Sequence, residues 1–94
     1  MKIAWTRQAV EDLNSAHAYI AADRPTAAVH IAERIKNAIH SVSRYPEIGR
    51  PGRVEGTREL VVAGTPFIVP YRIKRDRVEI LAVLHSARRW PGSL

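Results

Sequence analysis

The chain has no cysteine, so disulfides cannot staple its fold and a thiolate-bound metal is excluded. That absence suits a reducing cytosol. No long apolar run is present either. Met1 is followed by Lys2-Ile3-Ala4-Trp5 and then by polar residues, a pattern that gives neither a signal peptide nor a transmembrane span. A soluble, cytoplasmic protein with no membrane partner is the expectation. Repeats, low-complexity stretches and linkers are missing, and 94 residues leave room for a single domain, residues 1–94. So short a chain buries only ~60–65% of its unfolded surface, which makes for a small core.

Acidic residues are scarce: nine Asp and Glu stand against fifteen Lys and Arg, for a formal net charge of +6. Such a field attracts nucleic acid, acidic protein surfaces or acidic disordered segments, although basicity also serves plain solubility. The distribution sharpens the reading. From Arg44 to Leu94, nine arginines accompany one lysine, Lys74. Arginine forks onto carboxylates and phosphates, so a partner is expected on the second half of the chain.

Periodicity gives the elements. Lys2–Trp5 is a short strand ahead of Thr6, a helix N-cap. Ala9, Leu13, Ala16 and Ile20 recur at helical spacing, with Glu11, Asp12, Asn14 and Ser15 on the polar side. Asp23-Arg24-Pro25-Thr26 interrupts that stripe, with Pro25 in a new first turn and Asp23 or Thr26 as its cap. Ala28, Ile31, Ala32, Ile35, Ile39 and Val42 continue as a second stripe, so the two helices form an antiparallel hairpin. Pro46 to Gly56, rich in proline and glycine, reads as a loop. Beyond it, Leu60–Val62, Phe67–Ile73 and Val78–Leu84 are β-branched runs separated at hairpin distances, a three-stranded meander. Pro70 cannot donate to a ladder, which predicts a bulge or a locally unpaired side in the middle strand. The predicted fold is α+β, in the order β-α-α-β-β-β, with the helical hairpin packed on a small, mainly antiparallel sheet.

On these residues the chain resembles a known family. Gly56-Thr57-Arg58-Glu59-Leu60, Phe67 to Ile73, Val78 to His85 and the closing Ala87-Arg88-Arg89-Trp90-Pro91 are similar to the second half of RelE/ParE toxins. Trp5-Thr6, the first helix with Ala9, Asp12 and Leu13, and Tyr45-Pro46-Glu47-Ile48-Gly49-Arg50 agree more loosely. The resemblance covers nearly the whole chain and implies the toxin of a type II toxin–antitoxin system. A ParD-like antitoxin would neutralise it by direct binding, folding an acidic tail around it. Operator DNA would be bound only through the antitoxin complex. Arg58, Arg72, Arg75 and Arg77 are the antitoxin-binding candidates, together with apolar strips beside the helical hairpin.

Family members divide by target. ParE-like toxins poison DNA gyrase, whereas RelE-like toxins are ribosome-dependent mRNA endonucleases. RNA cleavage by the 2′-hydroxyl needs a base, a proton donor and cations for the phosphorane charge. Glu59 and Val61 align with lysines of the RelE type, and Ile68 falls where a phosphate-binding arginine is expected. Those replacements favour the gyrase reading, which needs no cofactor and no catalysis. Arg88, Arg89 and Trp90 then form the target-binding tail, because arginine and tryptophan suit interface hot spots. Under the endonuclease alternative, His85 is catalytic, with Glu47 or Glu59 as its partner and with Arg58 and Arg72 facing one surface in support. The plainer reading, and the one preferred, makes His85 a structural group bonding the backbone or the Arg88-Arg89-Trp90 tail. His17, His30 and His40 lie on helices at spacings that do not converge, so no metal site is expected. Trp5 reads as core.

Overall fold

The computed structural model describes residues 1–85 of the chain. Strand β1 (Lys2–Trp5) leads into helices α1 (Arg7–Ala21) and α2 (Pro25–Arg44), followed by β2 (Arg50–Pro51), β3 (Arg58–Val61), β4 (Phe67–Ile73), β5 (Arg77–Ile80) and β6 (Leu84–His85). The strands form one sheet in the order β1-β5-β4-β3-β2, with β6 also pairing with β4. β1 runs parallel to β5, and the other pairings are antiparallel. This is the α+β architecture expected from the periodicity, with two short strands added. One, β2, falls inside the expected loop, and the other, β6, arises because the last run is split.

Thr6 starts α1 as anticipated. Its Oγ1 accepts from the Ala9 N–H at 3.1 Å and donates to the Ile80 carbonyl at 2.8 Å, so one hydroxyl caps the helix and ties it to the sheet. The start of α2 departs from expectation. Arg24 is the capping residue, without a side-chain hydrogen bond, so neither Asp23 nor Thr26 caps the helix. Pro25 at the first position already lacks the N–H that a cap would satisfy.

Cross-strand partners share a face of a sheet, so the registers sort the side chains. Val69 and Tyr71 of β4, Leu60 of β3, and Val78 and Ile80 of β5 face the helical hairpin. There they pack with Ala9, Ile35, Ile39 and Val42 to form the main core. Ile3, Trp5, Leu13 and Ile20 close its edges, half-buried, so Trp5 does pack against the core. On the other face Ile68, Ala82 and Leu84 form a second, smaller cluster against Val54.

The split of the last run has a local cause. Ile80 lies opposite Tyr71 and Leu84 opposite Ile68, so four steps along one strand match three along the other. That is a β-bulge, and it sits opposite Val69 and Pro70. The Pro70 carbonyl accepts from Leu81 N–H at 2.9 Å, so the edge of β4 facing the bulge is the one on which proline offers no donor. The Val83 N–H in the bulge is satisfied from elsewhere: it donates to Asp12 Oδ2 of α1 at 3.0 Å.

Candidate functional site

The meander carries most of the residues singled out above, and the registers decide which of them meet. Arg58 pairs with Tyr71, on the helix side of the sheet, whereas Arg72 pairs with Glu79 on the opposite side. The two arginines therefore do not share a surface, contrary to expectation, because Arg58 lies opposite Tyr71, the chain neighbour of Arg72, and side chains alternate along a strand. Arg58 is spent on the backbone. Its Nη1 donates to the carbonyls of Gly49 at 2.7 Å and Glu47 at 3.2 Å, bracing the loop after α2.

That loop is held from a second direction by Tyr71, which is fully buried. Its hydroxyl donates to the Pro46 carbonyl at 2.6 Å and accepts from the Gly49 N–H at 2.9 Å. Burial pushes the Tyr71 pKa above the ordinary tyrosine value. The Gly49 bond and the Arg58 charge pull it part of the way back, while Glu47 adds to the rise. Glycine is required at position 49 by close approach, since a Cβ there would lie 2.6 Å from the Tyr71 hydroxyl oxygen.

The bulge sets the direction of His85. With the extra residue, His85 pairs with Phe67 on the helix side, where the two rings meet edge to face at 5.7 Å between centroids. Glu59, in contrast, shares the opposite face with Pro70, so the sheet stands between it and His85. Glu47 belongs to the loop at the Tyr71 end of β4, four residues along the strand from Phe67. Neither carboxylate is placed as a partner for His85.

The face opposite the helices gathers the positions that resemblance compares with nuclease cations. Val61 and Ile68 are direct cross-strand partners, and Glu59 lies two residues before Val61 on the same face. Glu59 is buried, and its Oε1 accepts from Arg50 Nε at 2.6 Å, with Arg50 Nη2 also against it as an ion pair. Further along, Arg77 meets Glu79 and Asp76, each at 3.0 Å, and these carboxylates raise its pKa. Arg72 is half-buried opposite Glu79, and Arg75 is exposed in the β4–β5 turn. Arg50 and Arg77 are thus already matched by acid. Arg88, Arg89 and Trp90 lie outside the described residues.

Two residues with structural consequences were given no role of their own from the sequence. Asp12 looks like one more polar residue on an exposed helix face, and nothing local reveals its bond to Val83. Tyr71 did leave a signal, a polar-tipped aromatic in an otherwise apolar strand, because a buried tyrosine hydroxyl must find partners. Among the described residues no group of three or more His, Cys, Asp or Glu is placed to hold a metal. No helix among them is long and apolar enough to cross a membrane.

A helical hairpin laid across one face of a small mixed sheet, with the chain closing through a meander, is the architecture of RelE/ParE toxins. The chain belongs to the ParE toxin family of type II toxin–antitoxin systems: the model of that family, the ParE toxin of the parDE system, matches residues 3–90. It is 49% identical over 93 residues to Y4kP of Sinorhizobium fredii, a protein provisionally named a toxin, with 99% of this chain and 96% of the relative covered. It is also 37% identical over 87 residues to toxin RelE2 of Caulobacter vibrioides, covering 93% and 97% of the two chains. Among solved structures it resembles a chain of the chromosomal ParDE system of P. aeruginosa, with TM-score 0.76, 27% identity, and 90% and 95% coverage. A chain of the RelBE2 toxin–antitoxin complex of Mycobacterium tuberculosis matches with TM-score 0.61 and 28% identity, covering 89% of this chain and 95% of that one.

Proposed function

We propose that this toxin arrests growth by binding and poisoning DNA gyrase, and that a ParD-like antitoxin encoded with it neutralises it by direct contact. The observation that carries the gyrase reading is the sorting of the candidate catalytic groups. His85 lies on the helix side of the sheet, Arg72 and Glu59 lie on the other, and Arg58 is bonded to loop carbonyls. General acid–base cleavage of RNA needs its base, acid and cations within hydrogen-bond reach of one phosphate. The described residues offer no such constellation. The face aligned with nuclease cations instead carries Glu59, held by Arg50, beside the aliphatic side chains of Val61 and Ile68.

In this reading the toxin works by contact, and Arg88, Arg89 and Trp90 provide the contact with the target. The antitoxin partner is supported by the two solved relatives, which come from a ParDE system and a RelBE2 toxin–antitoxin complex. Its acidic parts would meet Arg72, Arg75 and Arg77 on the meander. The apolar depression between β1, α1 and α2, lined by Ile3, Trp5, Val10, Leu13 and Ile39, would receive its apolar residues. The test is the simultaneous replacement of Arg88, Arg89 and Trp90 by alanine. Growth arrest should disappear while antitoxin binding and the circular dichroism spectrum stay as in the parent. Persistence of arrest in that variant, with mRNA cut at the ribosome, would place the toxin with the endonucleases.

A further inference from the structure

At the end of the molecule where α2 finishes, four large apolar side chains from three segments of the chain stand in solvent. Met1 is 47% exposed, Tyr45 64%, Ile48 54% and Ile73 37%. They line one shallow depression together with Pro46, Arg44 and Glu47. Isolated apolar residues on a surface need no explanation, but a contiguous group marks an interaction site.

The floor of this depression is unusually well braced for a loop. Tyr71 holds Pro46 and Gly49 through its hydroxyl, and Arg58 holds the Glu47 and Gly49 carbonyls. Ile48 N–H donates to the Tyr45 carbonyl at 3.0 Å, closing the turn on itself. Buried Tyr71 and half-buried Arg58 are thus committed to fixing how Tyr45 and Ile48 are displayed. A surface ordered before binding loses less entropy when a partner arrives.

Charge selects the partner. Arg44 lies in the lining, Lys74 and Arg75 follow Ile73 in the exposed turn, and Lys2 follows Met1. Against them stand Glu47 and Asp76, and Asp76 is already paired with Arg77. A second copy of this chain, itself at +6, would bring like charge to the same place.

We propose that this end of the molecule, centred on Tyr45, Ile48 and Ile73, is the docking site for an acidic polypeptide segment with apolar anchor residues. The proposal rests on the reading above, in which that segment belongs to the antitoxin. The acidic groups meet Arg44, Lys74 and Arg75, and the anchors cover the three apolar side chains. The surface is separate from the depression beside α1, so a single wrapping partner would occupy both.

The test measures the affinity of the refolded toxin for the antitoxin encoded beside it. Tyr45→Ala combined with Ile48→Asp should weaken binding by about tenfold or more, the range of interface hot spots. Lys74→Glu with Arg75→Glu should weaken it further as salt is lowered, because the reversed charges then repel the acidic segment less screened. Tyr19→Ala, at an exposed aromatic on α1 away from the site, should bind as the parent does. Hydrogen exchange on the unmutated complex should show new protection at residues 45–49. Parent-like affinity in the double variants, with no new protection there, overturns the proposal and leaves the antitoxin reading standing. A parent chain that does not bind the antitoxin at all overturns both.

Discussion

Asp12 and Val83 are joined across most of the chain: the Asp12 carboxylate accepts the Val83 N–H at 3.0 Å, from a helix surface into the bulge of the last strand. Pro70 interrupts the neighbouring strand edge, the opposing chain takes in an extra residue there, and Asp12 satisfies an amide that the ladder leaves over. Gln8 steadies the same carboxylate, its Nε2 donating to Asp12 Oδ1 at 2.7 Å. The first helix therefore helps fix the path of Leu81 to His85, and with it the side of the sheet to which His85 turns.

Asp12→Ala should lower stability by about 1–3 kcal/mol, the cost of leaving a buried donor unmatched. Asp12→Asn should cost less, since its amide oxygen can still accept. Urea unfolding of the two variants checks this. Equal losses, or none, would mean that water serves Val83 as well as Asp12 does.

The Tyr71 hydroxyl gives a pH signature. Its pKa is raised in the folded chain, so the fold favours the protonated phenol. The associated stability is present below the ordinary tyrosine value of 10.0 and is lost as pH rises from there through the folded value. The informative quantity is the difference between the parent and Tyr71→Phe. The variant should be less stable at neutral pH by about 1–3 kcal/mol, and the gap should narrow above pH 10. A constant gap would contradict the burial of the hydroxyl as its cause.

Gly49→Ala should be among the most damaging single changes outside the aliphatic core. The new Cβ would meet the Tyr71 ring carbon Cε1 at 2.7 Å as well as its hydroxyl, and neither can retreat, because the ring is packed on all sides. Overpacking of this kind costs about 1–3 kcal/mol, and the broken Pro46 and Gly49 bonds add to it. Ile35→Ala, in the centre of the core, sets the scale at about 2–5 kcal/mol. Thermal denaturation of both variants beside the parent ranks them.

His85→Ala should keep its capacity to arrest growth. The edge-to-face contact with Phe67 is worth about 0.5–1.5 kcal/mol, and circular dichroism of the variant checks that it folds. Colony counts after induction, with and without the antitoxin, provide the readout. Full loss of toxicity in a folded His85→Ala protein would point to catalysis.

The elements were legible in the sequence where period and punctuation agreed. Lys2–Trp5 and Phe67–Ile73 have the expected bounds, and the two alanine-rich stripes pack as a helical hairpin. Pro70 also announced the irregularity it causes, since a missing donor has only a few outcomes in a sheet. What could not be read was which face a residue reaches after that irregularity. One inserted residue reverses every later side chain, and on that reversal depends whether His85 faces Glu59. Nor does local sequence show that Arg58 turns to loop carbonyls while Arg72 points the other way. That outcome depends on register across two hairpins and on Tyr71 holding the loop within reach.

The proposed mechanism is tested most directly by the action of the purified toxin on gyrase, measured as supercoiling of relaxed plasmid with and without the antitoxin. It predicts loss of supercoiling with accumulation of cleaved DNA, both reversed by adding the antitoxin. Gyrase that supercoils normally at saturating toxin, alongside ribosome-dependent mRNA cuts that require His85, would contradict it.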